Sequence, residues 1–344
     1  MCVCCLLVWL FFALSIDARG ALPAGVTRTS MPDFVRLTQE AAVREVPSVA
    51  ANRHLRVLPT SDSNTLARHG RCAVVGSSAI LLNASHGAAI DAADMVVRFN
   101  WPPVRGFERD VGSRTTHMLV GHRSLLKSTK GATSFLDFAP DTHVFFRLQA
   151  PDFAELLDST LDILDQQMSR ARVRRRGANP ISLFSPLFER TASHVLHTFS
   201  VTHVGAAQSL TVFGEPFKPT TGFRGLLLAL LTCEHVDVYG FGAHARFGNG
   251  HYFDAVPATV LENPGHNYSI EHDWMFALSD REPDDVRRER CRLLFSAPVL
   301  PEVHCATMHV HVENAVPFEP VEPEGVQTQR KELIAKHRKE RARD

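Results

Sequence analysis

The stretch "GFRGLLLALLTCEHVDVYGFG", residues 222–242, decides the fold class of this chain. Its first half is mostly apolar, with an unbroken run of six apolar residues at 226–231, which predicts a helix over about residues 222–233. The short run from Val236 to Tyr239 predicts a buried strand that ends in a glycine turn. A buried helix that leads directly into a buried strand is typical of α/β proteins.

Other segments repeat these two patterns. Strands are predicted for four short apolar runs: "RCAVVG" (71–76), "DMVVRFN" (94–100), "THMLVG" (116–121) and "THVFFRL" (142–148). A helix is predicted over residues 151–168, where apolar residues recur at helical spacing after Pro-Asp. The alternation predicts an α/β fold with a Rossmann-like, mostly parallel sheet flanked by helices.

Glycine turns follow two of the predicted strands. Gly76 ends the run at 71–76, and Gly240 and Gly242 end the run at 236–239. Ligands of open parallel sheets bind at the carboxyl ends of the strands. Both turns are therefore candidates for contact with a ligand.

The two ends of the chain differ in composition from the middle. Residues 1–16 are almost wholly apolar, which predicts a signal anchor or signal peptide, with a buried N-terminal helix as the alternative. Residues 17–70 are rich in Pro, Ser, Thr and Arg and predict a stem or linker with a helix near 33–45. Residues 314–344 form a Pro/Glu-rich and then basic tail, and the basic run at 170–177 is expected in a loop.

Charge and cysteine usage narrow the class of protein. Lys+Arg and Asp+Glu are both 37, so no bulk positive charge favours nucleic-acid binding. Four cysteines lie beyond the apolar N-terminal segment, and their three pairings stay open at this point: Cys72, Cys233, Cys291 and Cys305. None of the four forms a Cys-x-x-Cys pair, which disfavours a structural zinc site. Asn83 and Asn267 begin glycosylation sequons that matter only if the chain enters the secretory pathway.

Several common catalytic motifs are missing. The sequence contains no G-x-x-x-x-G-K-[ST] loop, no G-x-G-x-x-G loop and no G-x-S-x-G turn. These absences disfavour a P-loop nucleotide-binding protein, a dinucleotide-dependent oxidoreductase and a hydrolase. Asp-x-Asp is also absent, which removes the usual acidic pair that holds a metal-bound nucleotide sugar.

Two dense polar stretches remain, "GHYFD" at 250–254 and "PGHNYSIEH" at 264–272. Together with residues 71–120 and 219–242 they form four blocks whose order and spacing resemble the eukaryotic-type sialyltransferases of glycosyltransferase family 29. The four blocks match the large, small, third and very small sialylmotifs of that family. The resemblance covers about 200 residues.

The resemblance implies a glycosyltransferase catalytic domain over residues 71–313, with a variant of the GT-A nucleotide-sugar fold. It implies transfer of sialic acid from CMP-sialic acid to a hydroxyl of a galactose-terminated glycan, without a metal or other cofactor. His266 matches the general base, Glu271 a supporting residue, and His251 the histidine that contacts the donor phosphate. Other residues match positions that bind the donor CMP: Ser77, Asn100, Thr220, Thr221, Gly222 and Gly242.

The resemblance also implies a Cys72–Cys233 disulfide and a single-pass Golgi membrane protein with a lumenal catalytic domain, or a secreted one if the N-terminal segment is cleaved. The sequence departs from the family pattern in two places. Gly-Ser-Ser-Ala-Ile replaces Gly-Asn-Ser-Gly-Asn at residues 76–80, and Lys218 replaces a frequent tyrosine. The alternatives are a different CMP-activated keto-acid sugar as donor, or a protein that binds CMP or glycans without turnover.

Overall fold

The structure, a computed structural model, describes residues 34–60, 68–121, 141–148, 153–175, 181–206, 208–211, 214, 216–244, 250–253, 265–283, 285–287, 291, 306–312 and 315–316. The apolar segment at 1–16, most of the basic tail, Asp254 and Cys305 lie outside these residues. Within the described part, none of the helices combines the length and the apolar character needed to cross a bilayer.

A seven-stranded sheet forms the centre of the protein, and every pairing in it is parallel. Its strands are β1 (His69–Val75), β2 (Met95–Phe99), β3 (His117–Gly121), β4 (His143–Arg147), β5 (Ile181–Leu183), β6 (Cys233–Tyr239) and β8 (Thr307–Val310). Their order is β5-β4-β3-β2-β1-β6-β8. The chain therefore builds outward from β1 in one direction and then returns to the other side, which places a topological switch between β1 and β6. A separate antiparallel pair joins β7 (Ala243–His244) to β9 (Ala315–Val316).

Seven α-helices are described around the sheet: α1 (Gln39–Glu45), α2 (Gly87–Asp91), α3 (Glu108–Val111), α4 (Phe153–Arg175), α5 (Pro186–Val204), α6 (Thr221–Thr232) and α7 (Tyr268–Ala277). Helix α6 is apolar on all sides and buried along almost its whole length. Such a helix belongs inside a protein. A Cβ atom on Gly225 would lie 2.3 Å from the Phe99 ring, so the absence of a side chain lets α6 approach β2 closely.

The predicted fold class is confirmed, with differences at particular elements. Strand β6 begins at Cys233 and not at Val236, because the backbone is extended directly after α6. Helix α4 continues through Arg175, so much of the basic run expected in a loop is helical. Arginine is a good helix former, and positive charge is favourable at a helix C-terminus. Strand β5, helix α5 and strand β8 were not predicted.

Residues 34–60 fall within the stretch predicted as a stem or linker, and in the structure they pack against the sheet. Phe34, Val35 and Leu37 are at most 1% exposed. The Leu37 N–H donates to the Leu183 carbonyl at 2.8 Å, next to β5. The packed unit therefore begins at or before residue 34, because these side chains supply part of the core.

Cys72 and Cys233 form the disulfide that the resemblance implied. Cys72 lies within β1 and Cys233 is the first residue of the neighbouring strand β6, and both are at most 1% exposed. The bond joins the two strands that border the switch. Cys291 is also disulfide-bonded, with a partner outside the described residues.

Candidate active site

The turns after β1 and β6 meet at the switch point of the sheet. The Gly76 N–H donates to the Tyr239 carbonyl at 2.7 Å, and the Ser78 N–H donates to the Gly240 carbonyl at 3.1 Å. A Cβ atom on Gly76 would lie 2.3 Å from the Gly240 carbonyl oxygen, so only glycine allows this approach. Both turns that the sequence indicated as ligand-facing therefore meet at the switch point, the position where open parallel sheets form a crevice for ligands.

His251 is attached to the same crevice through the backbone. Its neighbours bond to the turn after β1: the Ala79 N–H donates to Gly250 at 2.8 Å, and the Tyr252 N–H donates to Ser77 at 2.9 Å. The His251 ring is partly buried and stacks on Phe253 at 5.0 Å between centroids. The structure thus brings His251 together with the turn that carries Ser77.

The family departure at residues 77–80 has a local structural account. The Ser78 hydroxyl donates to the Gly242 carbonyl at 2.6 Å, which ties the turn after β1 to the turn after β6. Ile80 is 2% exposed, so its side chain packs inside the protein. Ser77 is partly buried at the crevice and keeps a hydroxyl that can hydrogen-bond a ligand.

Asn100 lies in a turn with unusual backbone geometry after β2. Asn100 and Trp101 have φ values of 54° and 65°, in the left-handed region that non-glycine residues seldom adopt. The Asn100 Oδ1 atom accepts from the Gly121 N–H at 2.9 Å, so the side chain also fixes the end of β3. Backbone strain of this kind often occurs at ligand sites.

Helix α6 begins at the same edge of the sheet. Thr220 is its N-cap, and the Phe223 N–H donates to the Thr220 hydroxyl oxygen at 3.0 Å. Thr221 and Gly222 follow in the first turn, where backbone N–H groups and the helix dipole favour an anion. The predicted CMP-binding residues of this segment therefore lie at a helix N-terminus, as expected.

Glu271 connects this helix start to the histidine segment. The Thr220 N–H donates to Glu271 Oε1 at 2.7 Å, and the Thr220 hydroxyl donates to Oε2 at 2.6 Å. Burial raises the pKa of Glu271 to about 7, although the Thr220 hydrogen bonds and the Arg224 and Arg147 charges oppose the increase. Glu271 therefore joins α7 to α6 across 51 residues of sequence.

His266 precedes α7 and has a defined tautomer when neutral. Its Nδ1 atom bonds to the Lys218 carbonyl, which can only accept, so Nδ1 carries the proton and Nε2 keeps a lone pair. Burial lowers the pKa of His266 to about 4; the bond to Lys218 opposes the decrease, and the nearby charges of Arg147, Arg224 and Lys218 add to it. The ring is therefore neutral near pH 7 and has the form that a general base needs.

A buried charged cluster that the sequence analysis missed lies beside these groups. It comprises Arg147, Glu189 and Arg224, which are 6%, 4% and 3% exposed. The sequence could have indicated the two arginines, because each is a lone charge in an otherwise apolar strand or helix. Glu189 carried no comparable signal because it looks like an ordinary first-turn glutamate of a helix.

The two sequons have different surroundings. Asn83 is exposed, and its N–H donates to Asp110 at 2.9 Å. Asn267 is the N-cap of α7, and its Oδ1 atom accepts from the Ile270 N–H at 3.1 Å. Glycosylation at either residue stays a prediction, and a glycan on Asn267 would lie next to His266.

A parallel α/β sheet with a helix N-terminus and two histidines at its switch point has the parts that a nucleotide-sugar-dependent transferase needs. The match to a family model is consistent with that class. The model is that of glycosyltransferase family 29 (sialyltransferase), and it matches residues 29–282. The chain belongs to this family.

Similarity to individual members is moderate. The chain is 32% identical over 186 residues to mouse CMP-N-acetylneuraminate-beta-galactosamide-alpha-2,3-sialyltransferase 2, over 53% of this chain and 46% of that protein. It is 29% identical over 219 residues to human alpha-N-acetylgalactosaminide alpha-2,6-sialyltransferase 2, over 58% and 55%. It is 28% identical over 260 residues to human CMP-N-acetylneuraminate-beta-1,4-galactoside alpha-2,3-sialyltransferase, over 73% and 64%. The matched part thus spans roughly half to two thirds of each relative.

Two solved structures of a mammalian sialyltransferase are also similar, each at 19% identity and over 86% of this chain. One has a TM-score of 0.47 and is covered over 96% of its length. The other, a complex with Gal-beta-1-3GalNAc-ortho-nitrophenol, has a TM-score of 0.45 and is covered over 97%.

Proposed function

We propose that this protein transfers sialic acid from CMP-sialic acid to a glycan hydroxyl with inversion at the anomeric carbon. The observation that carries the proposal is the link from Glu271 to Thr220. It holds the segment of His266, the base, against the helix N-terminus that would receive the nucleotide. Family membership supports the donor class.

The donor would lie across the switch crevice. Its CMP portion would contact the turn at Ser77, the side chain of Asn100 and the first turn of α6. Backbone N–H groups at the start of α6 suit an anionic phosphate. His251, held against the turn after β1, would supply a positive hydrogen-bond donor to the phosphate oxygen when its ring is protonated.

The reaction would form one bond and break one. The acceptor hydroxyl oxygen attacks the anomeric carbon of sialic acid from the face opposite CMP, and the bond from that carbon to the phosphate oxygen breaks. The hydroxyl proton passes to His266 Nε2, and CMP leaves with the bonding electron pair. His251 would stabilise the negative charge that accumulates on the phosphate as the bond breaks.

Donor binding would also make His266 a stronger base. In the free protein, burial and nearby positive charges lower the pKa of His266 to about 4. CMP-sialic acid brings a phosphate and a carboxylate, and opposite charges favour the protonated imidazole. Proton transfer is most effective when the pKa of the base lies near the working pH. The base would thus reach full strength only when the donor is present.

The acceptor we propose is a galactose-terminated glycan on a protein or lipid. Two of the relatives described above have beta-galactosamide and beta-1,4-galactoside in their names. No metal would be required, because the sequence lacks Asp-x-Asp and His251 can serve the phosphate. We further propose a Golgi location with the catalytic domain in the lumen.

A second candidate function keeps the same fold and uses another CMP-activated keto-acid sugar as the donor. The observation that favours it is the changed turn at residues 76–80, where Ser77 and Ile80 stand in place of two asparagines. A protein that binds without turnover is the third candidate, and it rests on the same turn.

One assay separates the three. The full-length protein is incubated with CMP-sialic acid or another CMP-keto-acid sugar, together with neutral galactose-terminated glycans. Transfer from CMP-sialic acid supports the proposal, and transfer from the other donor alone supports the second candidate function. CMP binding by calorimetry without transfer or donor hydrolysis would leave the non-catalytic candidate.

A further inference from the structure

The carboxyl end of β4 carries a buried arginine that makes no close ion pair. Arg147 is the last residue of β4 and is 6% exposed. Its Nε atom is buried without a hydrogen-bond partner, and its guanidinium makes no hydrogen bond within the described residues. The nearest acid is Glu189, at 3.8 Å from Nε.

Glu189 is already engaged by a second arginine. Arg224 Nε donates to both Glu189 oxygens at 2.9 and 2.8 Å, and Arg224 Nη2 lies 2.7 Å from Oε2. Arg224 also donates to the carbonyls of Pro219 and Thr220. Glu189 thus serves two buried arginines, and Arg224 has much the better geometry. Glu271 also acts on Arg147 through its charge, but its two oxygens accept hydrogen bonds from Thr220, so Arg147 keeps an unused hydrogen-bonding capacity.

The position of Arg147 connects it to the proposed base. His266 bonds to the Lys218 carbonyl, directly before the two carbonyls that Arg224 holds. Arg147 reaches Glu189 on the other side of the same cluster and contributes to the low pKa of His266. Its register partner is Gly121, whose N–H is held by Asn100. Arg147 therefore lies at the ligand edge of the sheet, on the side of His266.

The turn after β1, where the nucleotide is expected to bind, lies further from Arg147 than His266 does. Strand β4 is three strands from β1, which at ~4.8 Å per strand places its end about 14 Å from the switch crevice. The CMP phosphate is expected near that crevice, with His251. An anion at Arg147 would therefore be a group other than the CMP phosphate. An acidic acceptor glycan can carry it at this distance, whereas the donor carboxylate, bonded to the carbon that bears the phosphate oxygen, can reach Arg147 only if the arginine side chain extends toward the crevice.

We infer that Arg147 is a specificity-determining residue that receives a carboxylate of the substrate pair next to His266. The carboxylate comes either from the donor sugar or from an acidic acceptor glycan. A buried guanidinium without hydrogen bonds is unfavourable, and a carboxylate supplies the planar pair of acceptors that guanidinium fits. The inference rests on the proposed sialyl transfer.

The test compares the full-length wild type with Arg147→Met and Arg147→Lys. Donor KM and kcat are measured with a neutral acceptor and with a sialylated one, CMP affinity by calorimetry, and Tm by thermal unfolding. A donor carboxylate predicts a donor KM raised tenfold or more in Arg147→Met with either acceptor, since charged hydrogen bonds carry about that factor. An acceptor carboxylate predicts the same loss in acceptor KM for the sialylated glycan alone. In both cases CMP affinity stays within about twofold of the wild type, and Arg147→Lys recovers part of the loss.

Arg190→Met is the matched control, because Arg190 follows Glu189 on α5 but is a largely exposed arginine that pairs with Glu45 at 3.6 Å. It should leave every parameter unchanged. Unchanged kinetics in Arg147→Met, or an equal loss of CMP and donor affinity, would overturn the inference. So would a large drop in Tm with kinetics that follow it, because Arg147 would then be a structural partner of Glu189. Failure of the proposed function is distinct, since the wild type would then transfer no sialic acid.

Discussion

His251 and His266 stand at the same edge of the sheet but are held differently. His251 is carried by a segment that bonds to the turn after β1, whereas His266 is fixed through its own ring to the Lys218 carbonyl. These attachments fit a role at the nucleotide for His251 and a role with the acceptor for His266. The two roles make separate predictions.

Replacement of His251 should affect donor binding as well as turnover. His251→Ala removes a proposed contact with the phosphate that exists in both the ground state and the transition state, so donor KM should rise and kcat should fall. CMP affinity measured by calorimetry should also fall. The control is His272→Ala, because His272 lies on α7 and no contact to the donor is assigned to it. Unchanged CMP affinity in His251→Ala would contradict the phosphate role.

The pH dependence of turnover should depend on the donor. In the free protein the pKa of His266 is lowered to about 4, so the base is neutral, and active, above that pH. The bound donor should raise this pKa, so the acidic limb of kcat should lie at higher pH than that of kcat/KM for the donor. Coincident acidic limbs in the two profiles would contradict the coupling.

At the scale of elements, the link between α6 and α7 depends on one carboxylate. Glu271→Ala leaves the Thr220 N–H and hydroxyl without their partner in a buried site, which costs about 1–3 kcal/mol per group. We expect a lower Tm and weaker CMP binding, with Glu271→Gln between that variant and the wild type. Asp273→Ala, on the same helix but half-exposed, is the control. Wild-type CMP affinity in Glu271→Ala would show that the link does not position the nucleotide site.

A row of three histidines lies at the opposite edge of the sheet, at the start of β1, β3 and β4. The His117 ring lies 5.8 Å from the His69 ring and 5.5 Å from the His143 ring. Burial lowers the pKa of His117 to about 3 and of His143 to about 4, and each adjacent positive charge adds to the effect. The rings of His117 and His143 are therefore uncharged in the folded protein near pH 7.

The row should make the fold sensitive to acid. Because the folded pKa values are lowered, the unfolded chain binds more protons below pH ~6.5, and stability is lost as pH falls from there toward 4. Each of His117 and His143 should lower the free energy of unfolding by about 2 kcal/mol at pH 5 relative to pH 7. Glu271, whose pKa is raised, makes the folded protein more stable as the pH falls and so opposes this effect. The contribution of His117 is therefore isolated by measuring the urea stability of the wild type and of His117→Gln at both pH values, and the loss should be smaller in the variant. An equal loss in the two proteins would contradict this account.

At the scale of the whole molecule, the Cys72–Cys233 disulfide closes a loop of 161 residues across the switch. In the chain-entropy model such a loop stabilises the fold by roughly 5 kcal/mol. Replacement of both cysteines by alanine should lower the urea midpoint accordingly, and reductant should then have less effect than on the wild type. A midpoint equal to that of the wild type would contradict the contribution.

Metal independence is a second prediction at this scale. Transfer should be unchanged by EDTA and by added manganese, because the proposed leaving-group contact is His251 and the sequence offers no Asp-x-Asp. Within the described residues no group of three or more His, Cys, Asp or Glu side chains could hold a metal. Activity lost in EDTA and restored by manganese would contradict the prediction.

The sequence predicted what local pattern and motif order control. Apolar runs gave the central strands and α6, and glycines marked the two turns of the switch, because buried strands and tight turns have distinctive compositions. Glu271 was expected near the site, but its bond to Thr220 joins residues 51 apart and depends on how α6 and α7 pack. The cluster of Arg147, Glu189 and Arg224 is likewise assembled from three separate elements. The burial of Phe34 was missed because a short apolar run among polar residues also occurs in linkers.

The central claim is that His266 is the base of a CMP-sialic acid transferase, and one paired measurement tests it most directly. Steady-state transfer to a galactose-terminated glycan and calorimetric CMP affinity are measured for the full-length wild type and for His266→Ala. A general base contributes ~10²–10⁴-fold, so kcat should fall by that factor while CMP affinity stays within about twofold. Full activity in His266→Ala, or a loss of CMP affinity as large as that in His251→Ala, would contradict the claim.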